Sequence, residues 1–232
     1  MVNNWLEFDR YLGALAACAV CGGQAQGHLD ICSGCEAELP VHTSACQCCA
    51  EPLPKMGVCG QCLQQSPAFD YAWAAFTYAP PVDTLLRGLK FHQRLSVARL
   101  LGQMMAKQIE HDHTLPELIL PVPLHRARLR ERGFNQAQML AQEISSHLNI
   151  PMALDVCQRS VSTQAQAGMD KAARKRNLTG AFTLNRPVGA ERVVLVDDVM
   201  TTGSTLNVLA SLLKRAGVKE VGVWVCARAI LG

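Results

Sequence analysis

Two adjacent carboxylates, Asp197 and Asp198, stand just before Thr201-Thr202-Gly203-Ser204-Thr205. A turn of this kind at the start of a helix offers backbone N–H groups with no partner inside the helix, and a partial positive charge, so it suits an anion. Gly203 lets the chain curl closely around a phosphate, and the hydroxyls add donors. The carboxylates repel a phosphate. They suit the sugar hydroxyls beside it, or a divalent cation that wants hard anionic oxygen. The set therefore fits a phosphorylated sugar. The blander reading is a strand-to-helix turn in which Asp198 and Thr205 only cap. A P-loop is excluded because no Gly-Lys-Ser/Thr ending is present, and a dinucleotide-binding turn because its second and third glycines are missing.

The flanking elements must position these groups. Val193 to Val196 reads as a short buried strand ending at the acid pair. Leu206, Leu209, Leu212 and Leu213 share one side of a following helix. Upstream, Asp70–Tyr78 and Leu118–Leu120 read as strands, and Val82–Lys90 and Ser96–Ile109 as helices. Asn135 reads as the cap of a helix reaching His147. Ala153–Cys157, Ala181–Leu184 and Val221–Cys226 complete the pattern. Strands alternating with helices predict an α/β body with a mostly parallel sheet.

A second chemical cluster follows Pro121-Val122-Pro123. Arg126, Arg128, Arg130 and Arg132 place four arginines in seven residues, which repel one another unless an anion offsets them. A loop at the carboxyl end of a strand is where open α/β sheets bind ligands, and Arg pairs bidentately with phosphate oxygens. Pyrophosphate fits; a solvated basic helix face or a nucleic-acid patch is the competing account. Lys90 closes its helix either as a further site cation or as a charge on the helix end. The polar stretch Arg159–Arg176 reads either as a lid over bound substrate or as a surface loop.

Nine of the eleven cysteines lie at or before Cys62. Eight form CxxC pairs: Cys18/Cys21, Cys32/Cys35, Cys46/Cys49 and Cys59/Cys62. Such pairs point to metal in a reducing compartment rather than to disulfides. Four pairs can close two tetrahedral zinc sites, with consecutive pairs joined as in stacked zinc ribbons. An interleaved arrangement, or a single ion with His28 or His42 as a ligand, remains open. Cys48 is left over. With little apolar material in this stretch, metal must supply the folding energy.

At 232 residues the chain fits one ordinary domain plus a small one, and 49% hydrophobic residues suit a real core. Net charge of +3 does not by itself imply a polyanion partner. No apolar run is long enough to span a membrane. Leu15-Ala16-Ala17-Cys18 looks like the end of a lipoprotein signal, but Glu7 and Asp9 precede it and the apolar run is short. Trp5, Phe8, Leu12 and Leu15 share one helical face instead. The expected organisation is an N-terminal helix over 1–17, a double zinc ribbon over 18–66 and the α/β domain over 67–232, in the cytoplasm.

VVLVDDVMTTGST resembles the phosphoribosyl-pyrophosphate (PRPP) signature of type I phosphoribosyltransferases. Together with the CxxC pairs, Lys90-Phe91, Pro121-Val122-Pro123 and Arg132-Gly133-Phe134-Asn135, it makes the chain similar to the ComF (competence protein F) family. That family joins a double zinc ribbon to a type I phosphoribosyltransferase-like domain with helices on both faces of the sheet. The resemblance implies that Asp197 and Asp198 are the catalytic acids on the ribose hydroxyls. It implies that Thr201, Thr202, Gly203, Ser204 and Thr205 hold the 5′-phosphate. Arg126, Arg130, Arg132 and Lys90 would face pyrophosphate with Mg²⁺, and Thr163, Gln166, Arg174 and Asn177 would belong to a flexible loop. It further implies structural zinc on Cys18, Cys21, Cys32, Cys35, Cys46, Cys49, Cys59 and Cys62, and a role in natural transformation or use of DNA as a nutrient. A non-catalytic alternative keeps PRPP as a signal and binds single-stranded DNA or a competence partner through the ribbons and arginines.

Overall fold

A computed structural model describes residues 17–25, 29–112, 115–160 and 180–230. The helix expected around Trp5–Leu15, His28, and the loop residues Thr163, Gln166, Arg174 and Asn177 lie outside the described residues. Two compact units divide the chain, Met1–Glu38 and Leu39–Gly232.

The first unit is a metal-knuckle fold. Ala17 bridges Gln24, the Gly22 N–H donates to the Cys18 carbonyl, and a short helix α1 (Ser33–Ala37) follows.

The second unit opens with another knuckle and helix α2 (Gly60–Gln64), then builds the α/β body. Strand β1 (Tyr71–Thr77) leads to helices α3 (Val82–His92) and α4 (Leu95–Asp112). Strand β2 (Leu118–Pro121) leads to helices α5 (Arg126–Arg132) and α6 (Gln136–Leu148). The short strands β3 (Cys157–Arg159) and β4 (Phe182–Leu184) precede β5 (Arg192–Met200), helix α7 (Ser204–Arg215) and β6 (Glu220–Arg228).

The main sheet has the order β1-β6-β5-β2, with every neighbouring pair parallel. Alternate residues of its central strands face opposite layers. Val193, Leu195, Val221, Val223 and Val225 join a core with Leu206, Leu209 and Leu213 of α7 and with Phe182 of β4. Trp224, on the opposite register, is fully buried, and α4 and α6 pack on each other and on the sheet. A Cβ at Gly222 would run into the Tyr71 ring across the β1–β6 pair, so only glycine admits that aromatic.

Three local expectations are corrected. The strand at the acid pair does not stop at Asp197: β5 continues to Met200, because Val199 and Met200 keep pairing with Ala227 and Arg228 of β6. The arginine cluster is a helix rather than a loop, capped by His125, whose ring accepts from the Ala127 N–H, and ended by Gly133 at φ 83°. The third and fourth strands do not enter the main sheet; β3 and β4 pair antiparallel as a separate hairpin.

Candidate functional site

The acid pair sits near the carboxyl end of β5, the edge where open parallel sheets present ligands. Successive strand residues point to opposite faces. Asp198 turns towards α3, where its Oδ2 lies 2.6 Å from Lys90 Nζ. Asp197 Oδ1 accepts the Asp198 N–H at 2.9 Å. Burial, and then the neighbouring Asp198 charge, hold the Asp197 carboxyl well above the ordinary carboxylate range, with Lys90 pulling it back. Burial and Asp198 likewise push the Cys226 thiol up.

The turn after β5 leads straight into α7. Gly203 is the N-cap of α7 at φ 71° and ψ 4° and has no side chain of its own to cap the helix, while Thr202 Oγ1 accepts the Ser204 N–H at 3.4 Å. A Cβ there would stand 3.4 Å from Met200 Sδ in a backbone conformation that L residues rarely adopt. Thr202 Oγ1 lies 2.8 Å from Ser204 Oγ, so the hydroxyls cluster at the helix start. Thr201 and Thr202 are exposed, and Ser204 and Thr205 half-buried.

Beside the carboxyl end of β2 lies a cleft of about 220 Å³, whose walls include Pro121, Pro123, Arg126, Gln138, Cys157 and Arg159. The Arg159 guanidinium carbon stands 5.4 Å from the Phe182 ring centre. Burial, then the nearby Arg128 charge, pull Arg159 below its usual value, while Asp197 pulls it back up. The helix spreads its arginines: Arg126 and Arg130 lie four residues apart and are exposed, while Arg128 and Arg132 are half-buried.

The cysteines gather as consecutive pairs. Cys18, Cys21, Cys32 and Cys35 form one cluster and Cys46, Cys49, Cys59 and Cys62 another, their sulfurs within 4.8 Å of one another in each. Four thiolates at about 2.3 Å from one tetrahedral ion stand roughly 3.8 Å apart. The observed spacings of 3.9 Å for Cys21–Cys32 and 3.7 Å for Cys49–Cys59 match that edge. Burial pushes the Cys18 and Cys46 thiols up, but backbone N–H groups aimed at them more than offset it. Cys18 comes down to about 6 and Cys46 to about 7. Both clusters therefore fit structural zinc. His42 is not a ligand: its Nε2 lies 2.9 Å from the Ala50 carbonyl.

Comparison with known proteins agrees with this architecture. Residues 16–63 match the double zinc ribbon domain family, and residues 135–230 match the phosphoribosyl transferase domain family. The chain is 38% identical over 179 residues to competence protein F of Haemophilus influenzae, covering 74% of this chain and 78% of that one. It is 37% identical to the DNA utilization protein YhgH of Escherichia coli K12, with the same coverage. It is 30% identical to competence protein ComFC of Bacillus subtilis, over 43% of this chain and 39% of that one.

The chain belongs to the competence protein F family. It carries a cysteine-rich zinc ribbon module and a type I phosphoribosyltransferase-like fold with a parallel sheet. This competence protein F homologue brings Lys90 from the last turn of α3 to the acid pair, where it ion-pairs with Asp198. It puts Arg126 on the cleft, leaves Arg130 exposed, and holds Arg132 half-buried in the last turn of α5. Two arginines have no counterpart among the site residues expected from sequence. Arg159, read as the start of a lid, sits in β3 against the cleft. Arg228 closes β6, 3% exposed, and faces the Thr201 carbonyl. An arginine ending an otherwise apolar strand is the signal that could have found it.

Proposed function

We propose that this protein binds PRPP, with Mg²⁺, and serves in the uptake or use of DNA. The observation that carries the reading is the acid pair of β5 followed closely by the Gly203–Ser204 helix start, where the Thr202 and Ser204 hydroxyls cluster. The backbone N–H groups of α7 and the Thr202 and Ser204 hydroxyls would take the 5′-phosphate. Asp197 and Asp198 would take the ribose hydroxyls, with Lys90 holding Asp198 in place. Arg126 and Arg159 would face pyrophosphate across the cleft. Carboxylate oxygens are hard donors of the kind Mg²⁺ prefers, and Asp197, which is not the partner of Lys90, is the fitting donor. Mg²⁺ would supply neutralisation of the pyrophosphate charge. Loss of pyrophosphate leaves positive charge on the anomeric carbon, which carboxylates beside the ring stabilise. Similarity to competence protein F and to the DNA utilization protein YhgH supports the DNA connection, and a cytoplasmic location suits the reduced thiolates of the ribbons.

A second reading, non-catalytic PRPP sensing coupled to single-stranded DNA, is favoured by one feature. Arg126 and Arg130 are exposed on α5 around Leu129, itself 41% exposed. Basic surfaces of this kind hold phosphate backbones without reading sequence. Calorimetric titration of PRPP with Mg²⁺ into zinc-loaded protein tests the shared core. Micromolar binding supports it, and pyrophosphate release with candidate nitrogen acceptors then separates transferase from sensor. No heat from folded, zinc-loaded protein refutes it.

A further inference from the structure

The second cysteine cluster and the phosphate turn hold opposite ends of one side chain. Arg228 Nε donates to the Cys49 carbonyl at 3.1 Å, and Nη2 meets the Glu51 carboxylate at 2.5 Å. On the other side, Nη1 faces the carbonyls of Met200 at 3.2 Å and Thr201 at 2.5 Å. Cys49 belongs to the Cys46–Cys62 cluster, and Thr201 opens the turn that leads to Gly203. The guanidinium is nearly removed from water at 3% residue exposure. Its planar fork fixes direction as well as distance, and in a dry site such charge-assisted bonds are strong and costly to leave unmade.

A second contact runs parallel to this one. Ala50, in the left-handed region at φ 53° and 1% exposed, belongs to the same apolar core as Met200 and Phe69. Those two side chains are the ones a Cβ on Gly203 would approach. The knuckle that holds Ala50 is closed by the Ala50 N–H to the Cys46 carbonyl and by the Cys46 N–H to the Glu51 carbonyl. His42 Nε2 lies 2.9 Å from the Ala50 carbonyl. The shape of the metal knuckle and the shape of the phosphate turn therefore share both a polar clamp and a packing surface.

We infer that Arg228 is a positioning residue that couples zinc at Cys46, Cys49, Cys59 and Cys62 to phosphate binding at Thr201–Thr205. This rests on the reading of that turn as the PRPP phosphate site. Cys46, Cys49, Cys59 and Cys62 would hold zinc and so fix the knuckle that carries the Cys49 carbonyl and Glu51, and Arg228 links those two groups to the backbone of Met200 and Thr201. Coupling of binding free energies is reciprocal, so PRPP must tighten zinc at this cluster by the factor by which zinc tightens PRPP.

The test uses the full chain. PRPP affinity with Mg²⁺ is measured by calorimetry for wild type, Cys49→Ser, Cys21→Ser and Arg228→Lys. Zinc affinity is measured by equilibrium competition with a chromogenic chelator, with and without saturating PRPP, in the Cys21→Ser protein, whose remaining intact cluster is the second. Cys49→Ser is expected to bind PRPP at least tenfold more weakly and Cys21→Ser as wild type does. PRPP is expected to raise zinc affinity about tenfold in the Cys21→Ser protein. Adding Arg228→Lys, which keeps the charge but loses the fork, is expected to abolish that gain while zinc content stays unchanged. Equal PRPP affinity in wild type and Cys49→Ser, or a zinc gain that survives Arg228→Lys, overturns the coupling. If Arg228→Lys does not fold, Glu51→Gln takes its place with the same expectation. Wild type that binds zinc but no PRPP overturns the phosphate-site reading itself, and the coupling with it.

Discussion

Lys90 Nζ lies 2.6 Å from Asp198 Oδ2, with the lysine side chain 29% and the aspartate side chain 11% exposed. The last turn of α3 thus delivers a cation to the acid pair from outside the sheet. Without it, Asp197 and Asp198 would be two adjacent carboxylates at the end of a buried strand. Lys90→Met is expected to cost on the order of 2 kcal/mol, between the values for exposed and fully buried ion pairs. For a chain of this size that is a melting shift of about 4–8 °C. Adding Asp198→Asn should recover part of the loss, since it removes the charge left without a partner. Thermal melts of the two single variants and the double variant check this, and additive losses would refute the pairing.

Asp197 carries a pH signature. Burial first and Asp198 second raise its carboxyl well above 3.8. A raised acid binds more protons folded than unfolded. Its contribution to stability is fully present below the unfolded value and is lost as pH rises through the folded one. Wild type therefore loses stability from this group as pH climbs above about 4. Asp197→Asn does not titrate. With zinc kept saturating, the melting temperature of the variant relative to wild type is expected to rise as pH climbs above about 4. A difference independent of pH would show that the Asp197 carboxyl is not raised.

Gly203 combines φ 71° with a neighbour 3.4 Å from where a Cβ would stand. Gly203→Ala is expected to cost about 1–2 kcal/mol of stability through the left-handed backbone. The same shift would rotate the first N–H groups of α7 away from a phosphate, so PRPP affinity should fall more than tenfold. Melting and calorimetry on the same protein check both halves. Unchanged PRPP affinity in a destabilised variant would make the glycine purely structural.

The frame of this fold is legible in the sequence because its strands are nearly unbroken apolar runs, as at Val193–Val196 and Val221–Cys226. Parallel strands buried on both faces look that way. The extension of β5 to Met200 is not legible, because Asp197 and Asp198 interrupt the apolar pattern while the backbone ladder to Ala227 and Arg228 continues beneath them. The helix α5 is hidden for a different reason. Four arginines read as a repelling cluster, yet helical geometry sets Arg126 and Arg130 apart from Arg128 and Arg132. At the candidate site, the Thr201–Thr205 turn is a local motif and its place between β5 and α7 can be read directly. Lys90 is legible as a candidate cation at its helix end and Arg228 as an arginine closing an apolar strand, but the partners of Lys90, Arg159 and Arg228 are set by tertiary contacts from α3, β3 and β6.

The two thiolate clusters predict two zinc ions per chain. Cys21→Ser and Cys49→Ser should each lower the zinc content measured by elemental analysis by one. Thiolates must be deprotonated to bind, so loading apo-protein near neutral pH is expected to release protons. Thiols already lowered to about 6 at Cys18 and about 7 at Cys46 should contribute less than the raised thiol of Cys49, at about 11. A zinc content of one in wild type would contradict the paired arrangement.

Arg159 and Arg130 separate a site cation from a surface one. Arg159 lines the cleft and is half-buried, with Asp197 close enough to influence it, whereas Arg130 is exposed on α5. A charge held against low-dielectric walls acts on an anion more strongly than one in water, and added salt screens it less. Arg159→Met is therefore expected to weaken binding of pyrophosphate with Mg²⁺ by tenfold or more, and the loss should persist when salt is raised from about 0.05 to 0.5 M. Arg130→Ala should change pyrophosphate affinity less than threefold, with most of that difference gone at high salt. If Arg130→Ala costs more than Arg159→Met, the anion is held on the outer face of α5 rather than in the cleft, and the sheet edge loses its claim to the pyrophosphate.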